Sequence, residues 1–449
     1  MHGHTDATER VADLILAYAE DRFRLDPVPL DGPRTPEELE RDAGQTITPA
    51  GLGGEAMLEL FGEVLSRACI STDHPRFLSF IPSAPTEAAT LFDLVVGASS
   101  IYAGSWLEGA GAVYAENQAL RWISDLAGFP AGAGGTFVQG GTTGNLSALV
   151  AARHTAATSR GGERPARWKV AATSQAHSSV KMAARVMDVD VVEVEPDAEG
   201  RLRGDALREA LERDGDGVFA VVATSGSTNF GTVDRLDEVA TVCAERGLWF
   251  HVDGAYGGAA LAAPSVRPLF NGIERADSFI VDPHKWLFAP YDCCALLYRQ
   301  PELGRAAHTQ TAGYLEPLQS GDEWNPSDYA INLTRRARGL PFWFSLAAHG
   351  TDAYAGAIEQ TLTVARYAAA EISARTYVEL LRPPDLSVVV FRRLGWSPAH
   401  YYDWSERLMK ANFAFVTPST HEGETITRFA IVNPRTTESD ISTILDTMA

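Results

Sequence analysis

The residues best suited to covalent chemistry lie in Asp282-Pro283-His284-Lys285-Trp286, directly after the apolar run 278–281. Only four of the 38 Lys+Arg residues are lysines: Lys169, Lys181, Lys285 and Lys410. A chain that favours arginine for solvated charge needs a reason to keep a lysine beside apolar residues. Arginine stays protonated and is a poor nucleophile, whereas a lysine amine can lose its proton and condense with an aldehyde. Taken alone, Lys285 reads as a lysine whose stem packs while its head reaches water. Three further groups change that reading.

The first is Gln139-Gly140-Gly141-Thr142-Thr143-Gly144-Asn145, which follows an apolar run and opens a helical pattern. Glycines admit an anion close to the backbone, and threonine hydroxyls with helix N-terminal amides can hold phosphate oxygens. The spacing is neither Walker A nor G-x-G-x-x-G, which argues against ATP or a dinucleotide. A glycine turn with a threonine cap would look the same in isolation. The second is His177, in Gln175-Ala176-His177-Ser178-Ser179, placed to stack on a flat ring or simply to fill a turn. The third is Asp253, in His251-Val252-Asp253-Gly254-Ala255-Tyr256, a carboxylate among small and apolar residues that needs a cationic partner. A protonated pyridine nitrogen is such a partner. A phosphate cradle, a stacking histidine, a ring-nitrogen acid and an aldehyde-trapping lysine together fit pyridoxal 5'-phosphate.

The elements that must position these groups can be read from hydrophobic pattern. Runs at 136–139, 169–173, 191–194, 218–224, 248–252, 278–281 and 295–298 are continuously apolar rather than alternating, as in a sheet buried on both faces. Helical stretches such as Leu236–Arg246 between them predict crossovers and a mostly parallel, doubly wound α/β domain over 76–345, with ligands at strand carboxyl ends. Residues 346–449 read as a small C-terminal α+β domain, with strands at 387–392, 412–416 and 425–431 and helices at 400–410 and 438–448. Residues 1–75 read as an N-terminal helical segment: helix, Pro-rich connection, and a second amphipathic helix near 55–68. Two such helices cannot close a core alone and are expected to lie on another domain or subunit.

In this order and context the four features resemble the group II PLP-dependent decarboxylases, the family of aromatic L-amino acid, histidine and glutamate decarboxylases. The similarity runs from about Arg10 onward and is carried most closely by 175–180, 248–256, 272–287 and 428–440. It implies the PLP-dependent transferase fold type I. It also implies that Lys285 carries the cofactor aldehyde, His177 stacks on the ring and Asp253 pairs with the ring nitrogen. Gly141, Thr142, Thr143 and His284 would hold the phosphate, and Thr224 or Ser225 would touch the ring. Asp282 stands where several relatives have asparagine; next to a phosphate it must face away or be paired. Tyr314 fits the family's mobile-loop tyrosine, which returns a proton to carbon after CO2 leaves, with Tyr329 the competing choice. Relatives with phenylalanine there drift toward oxidative deamination and aldehydes. Arg428 matches an arginine that holds the substrate carboxylate in glutamate decarboxylases. Phe80, Ile81, Pro82 and Trp106 align with pocket walls of aromatic decarboxylases. The resemblance further implies a homodimer with exchanged N-terminal helices and shared active sites, Thr334 reaching the partner's phosphate. The expected activity is decarboxylation of an L-amino acid, aromatic by preference. A small aliphatic or acidic substrate, and decarboxylation-coupled aldehyde formation, stay open.

Composition narrows the alternatives. Net charge is -20, which argues against a nucleic-acid or anionic-membrane partner. The polar N-terminus lacks a signal-peptide pattern, and no uncharged apolar run approaches the roughly 18 residues of a membrane span, so a cytoplasmic location is expected. Cys69, Cys243, Cys293 and Cys294 have no zinc spacing, and no metal is expected. His251, Asp253 and His284 have the composition of a two-histidine, one-carboxylate metal site, but that reading leaves the Gly-Thr loop and Lys285 without a role.

Overall fold

The computed structural model describes residues 2–313, 315 and 323–449. Seven strands form the large sheet: β1 (Gly134–Val138), β2 (Lys169–Thr173), β3 (Asp190–Val194), β4 (Val218–Thr224), β5 (Trp249–Asp253), β6 (Ser278–Val281) and β7 (Cys294–Tyr298). Their spatial order is β1-β7-β6-β5-β4-β2-β3. Only β7 runs against the others, pairing antiparallel with β1 and β6. All seven residues of Val218-Phe219-Ala220-Val221-Val222-Ala223-Thr224 are buried, which is why this strand reads as an unbroken apolar run. Helices cover both faces, so two separate apolar clusters flank the sheet. The observed strands match the expected ones to within two residues at each end.

Register brings the chemistry to one edge. Thr224 at the end of β4 is level with Asp253 at the end of β5, and Asp253 with Ile280 of β6. The turns after β1, β2, β4, β5 and β6 therefore all open at the same carboxyl edge, where the strand order also reverses.

The C-terminal region carries a second, antiparallel sheet of β8 (Val378–Leu380), β9 (Val388–Arg393), β10 (Pro418–His421) and β11 (Glu424–Ala430), in the order β10-β11-β9-β8. Helices Pro398–Lys410 and Glu438–Asp446 cover it, close to expectation. The expected strand at 412–416 is absent. Phe413, Ala414 and Val416 pack in the small-domain core, while Phe415 clusters with Leu30 and Phe77 and makes an isolated parallel bridge with Phe77. The strand there, β10, begins at Pro418, two residues beyond the end of the expected one. Leu78 joins the same core and is hydrogen bonded to Phe415 and Ala430, lacing the segment before the large domain to the small sheet.

The N-terminal region holds three helices rather than two: Asp6–Phe23, Pro36–Ala43, and Gly54–Leu60 continuing through a π turn to Ala68. The additional helix begins at a reciprocal cap. The Thr35 hydroxyl accepts from the Glu38 amide, and the Glu38 carboxylate accepts from the Thr35 amide. No residue of the three helices is buried. Among the described residues no helix is long and apolar enough to cross a membrane.

Candidate active site

The turns at the carboxyl edge form a cavity of about 290 Å³ whose wall includes Gly141, Thr142, His177, Asp253, His284 and Lys285, together with Asn145, Ser179, Asp282 and Asp292. Helix Gly141–Ser159 starts at the cavity with no side-chain cap, so its first amides are available to an anion. A Cβ placed on Gly141 would stand 3.2 Å from both the Ala255 Cβ and Asp282 Oδ2, so any side chain there would crowd the helix start. Thr143 lies on the same turn but does not line the cavity.

Lys285 Nζ is 2.8 Å from Asp282 Oδ2. Burial alone would pull the amine's pKa down, but Asp282 and then Asp253 outweigh it and raise it. Burial would likewise raise the Asp282 carboxyl; Lys285 and His284 beside it bring it below its usual range. Asp282 is thus a paired anion, which removes the objection to an aspartate at this position. His284 Nδ1 is 2.7 Å from the Cys293 carbonyl, and burial lowers its pKa. His284 Nε2 is 3.7 Å from Asp282.

His177 caps helix Ser178–Met187, its Nδ1 accepting from the Ser179 amide at 3.2 Å. Asp253 Oδ1 accepts from the Ala255 amide at 3.1 Å, and Oδ2 from Asn145 Nδ2 at 2.8 Å. Beside them the buried hydroxyls Thr224 Oγ1 and Ser225 Oγ have no hydrogen-bond partner among the described residues. Anion-binding helix amides, carboxylate, imidazole, amine and hydroxyls meet the needs of pyridoxal phosphate group by group.

The expected substrate residues divide. Arg428, on β11, is buried and its Nη1 donates to the Phe80 carbonyl at 3.0 Å. Burial lowers its pKa to about 10. Pro82 is buried and Ile81 half-buried against the core, whereas the Phe80 ring is 60% exposed. Trp106 starts a different helix, its amide donating to Asn325 Oδ1, and does not line the cavity. Thr334 is exposed on the surface and does not line this chain's cavity, while its neighbours Arg335 and Arg336 are held by Glu116 and Asp93. Tyr314 lies outside the described residues. Tyr329 is buried, stacked on Trp324 at 4.2 Å, with its pKa pushed up to about 12 by burial, and does not line the cavity. His251 turns its ring nitrogens to Ser278 and Asn145 rather than to the cavity, which removes it from any metal set.

Pattern reading assigned no role to Asn145, Ser179, Tyr291 or Asp292. The first two stood inside segments already singled out. The Tyr291 ring lies 5.2 Å from that of His284, at a turn with no local signal.

The fold and these groups define a pyridoxal phosphate enzyme of the fold type I class. Residues 36–394 match the pyridoxal-dependent decarboxylase conserved domain, and the chain belongs to that family. It is 29% identical to an aromatic-L-amino-acid decarboxylase of Bacillus atrophaeus, over 91% of this chain and 87% of the relative. It is 31% identical to an L-2,4-diaminobutyrate decarboxylase of Rhizobium meliloti, over 89% and 82%. Among solved structures, Oryza sativa TDC with PLP and tryptamine superposes with a TM-score of 0.92 at 24% identity, covering 100% of this chain and 99% of that one. Mouse CSAD superposes at 0.89 with 26% identity, covering 99% and 98%. The protein is a PLP-dependent amino acid decarboxylase.

Proposed function

We propose that the chain converts an aromatic L-amino acid to its amine and CO2, with Lys285 as the residue that carries the cofactor. The observation that supports the site is Lys285 Nζ at the wall of a cavity it shares with Asp253, His177 and the uncapped start of helix Gly141–Ser159. Pyridoxal phosphate, when bound, supplies the electron sink for the pair left on Cα as CO2 departs. The remaining work falls to the chain. The amides of Gly141 and Thr142, with His284, hold the phosphate. Asp253 holds a proton at the ring nitrogen, while His177 covers one ring face. Asp282 holds the Lys285 side chain at the cavity wall by ion pairing. Arg428 holds a substrate carboxylate, and Tyr314 returns a proton to Cα.

The aromatic preference draws on two exposed rings: Tyr291, beside the cavity residue His284, and Phe80, whose carbonyl Arg428 holds. One observation favours a second reading. Arg428 is a buried guanidinium with no carboxylate partner among the described residues, so it would also suit the side chain of an acidic substrate. Screening amino acids for CO2 and amine release separates the two. The aromatic reading fails if turnover is confined to acidic or diamino substrates. With the best substrate, Tyr314→Phe should shift product from amine toward aldehyde with ammonia and peroxide. Unchanged amine yield would remove Tyr314 from the proton step.

A homodimer belongs to the same proposal. Leu91, Leu94 and Val95 form an exposed apolar face on helix Glu87–Ala98, and the N-terminal helices bury nothing of their own. Sedimentation should give a dimer, and Leu94→Glu should shift it toward monomer with loss of activity. A wild-type monomer with full turnover would refute it.

A further inference from the structure

Asn145 and Asp253 line the cavity, and behind them lie Trp249, His251 and Ser278, which the proposed steps do not use. Asn145 and Asp253 are buried, as are Trp249, His251 and Ser278. Their hydrogen positions follow from one fact: the Asp253 carboxylate accepts only. Asn145 must therefore present its amide nitrogen, Nδ2, to Asp253 Oδ2 at 2.8 Å, and Nδ2 also donates to Ser179 Oγ at 2.8 Å. That turns Asn145 Oδ1 to His251 Nε2 at 2.8 Å, so Nε2 carries a hydrogen. Burial lowers the His251 pKa and keeps the ring neutral, which leaves Nδ1 as an acceptor. Nδ1 takes the Ser278 hydroxyl hydrogen at 2.8 Å, and Ser278 Oγ in turn accepts from Trp249 Nε1 at 2.8 Å. On the other branch, Ser179 Oγ already accepts from Asn145, so its own hydrogen goes to His177 Nδ1 at 2.9 Å.

We infer that Asn145 is a positioning residue whose amide, locked by the relay Trp249–Ser278–His251, orients both Asp253 and His177 toward the cofactor ring. The inference rests on the proposed pairing of Asp253 with the ring nitrogen. The amide has two orientations, and only one is compatible with Asp253. The relay selects it from behind, by a chain of donors that begins at an indole able only to donate. Helix Gly141–Ser159 thereby serves the cofactor twice, through its first amides and, one turn on, through Asn145.

The test compares how apoprotein binds pyridoxal phosphate and its 1-deaza analogue, which lacks the ring nitrogen. The ratio of the two dissociation constants reads the Asp253 contact, whereas general damage weakens both ligands alike. Wild type should favour pyridoxal phosphate. Asn145→Leu should shrink that preference by about tenfold or more, the scale of one charge-assisted hydrogen bond, while binding of the analogue changes less than about threefold. His251→Phe, one bond further out, should move the ratio in the same direction by less, and it carries the test should Asn145→Leu not fold. An unchanged ratio in both variants overturns the positioning role. Equal loss for both ligands overturns it too and makes Asn145 a packing residue. A wild-type ratio of one would instead sink the ring-nitrogen assignment beneath it.

Discussion

Lys285 and Asp282 illustrate how a residue's chemistry is set by its neighbour. The lysine is held as an ammonium by the carboxylate 2.8 Å away, yet capture of an aldehyde needs the neutral amine. Asp282 raises the lysine's pKa, so removing its charge should lower it. Asp282→Asn should therefore move the midpoint of cofactor capture by apoprotein to lower pH, as read by the growth of visible absorbance across a pH series. A midpoint that stays in place would mean the ion pair does not govern the amine. The sequence showed the lysine and the aspartate three residues apart and raised the repulsion between Asp282 and a phosphate. It could not show that Asp282 is paired, because that depends on the turn after β6 folding back on itself.

At the scale of elements, the site depends on how closely helix Gly141–Ser159 approaches the sheet. Gly144 sits where a Cβ would be 2.9 Å from Ile280 Cγ2 and 3.1 Å from Cys294 Sγ, on two strands of the sheet. Gly144→Ala should cost about 1–3 kcal/mol by overpacking. Gly356, exposed within helix Thr351–Ala374, has nothing within 4 Å of where an added Cβ would stand, so Gly356→Ala should stabilise by about 0.5–1 kcal/mol. Urea melts of both variants would test the contrast; equal effects would mean that helix–sheet contact does not distinguish the two positions. Strands of the large sheet were legible because burial on both faces writes itself as uninterrupted apolar residues. The small sheet was less so: Val378–Leu380 is three residues long, and Pro418–His421 is polar and half-exposed, so neither carries a periodic signal.

For the whole molecule, acid sensitivity follows from buried imidazoles. His308 is buried at the end of helix Pro301–His308, its Nε2 3.0 Å from the Ser147 carbonyl, and burial lowers its pKa from the usual 6.5. Above that value neither the folded nor the unfolded chain protonates it. As pH falls below 6.5 the unfolded chain takes up the proton first, so His308's contribution is present at neutral pH and lost as pH drops through the folded value. The stability advantage of wild type over His308→Gln should accordingly narrow between about pH 7.5 and pH 5.5 in denaturant melts. A constant gap would show that the folded protein protonates His308 as readily as the unfolded chain does.

The sequence by itself determined the α/β architecture, the cofactor chemistry and the candidate groups Lys285, His177 and Asp253, because each is written locally as residue type beside an apolar strand. Tertiary structure alone decided which groups meet. It joined Arg428 to Phe80 across 348 positions of chain and left Trp106 and Thr143 off the cavity wall. It also linked Asn145 to His251 and Asp253. Those relations depend on strand order and on how closely helix and sheet pack, and neither is encoded within any short window of residues.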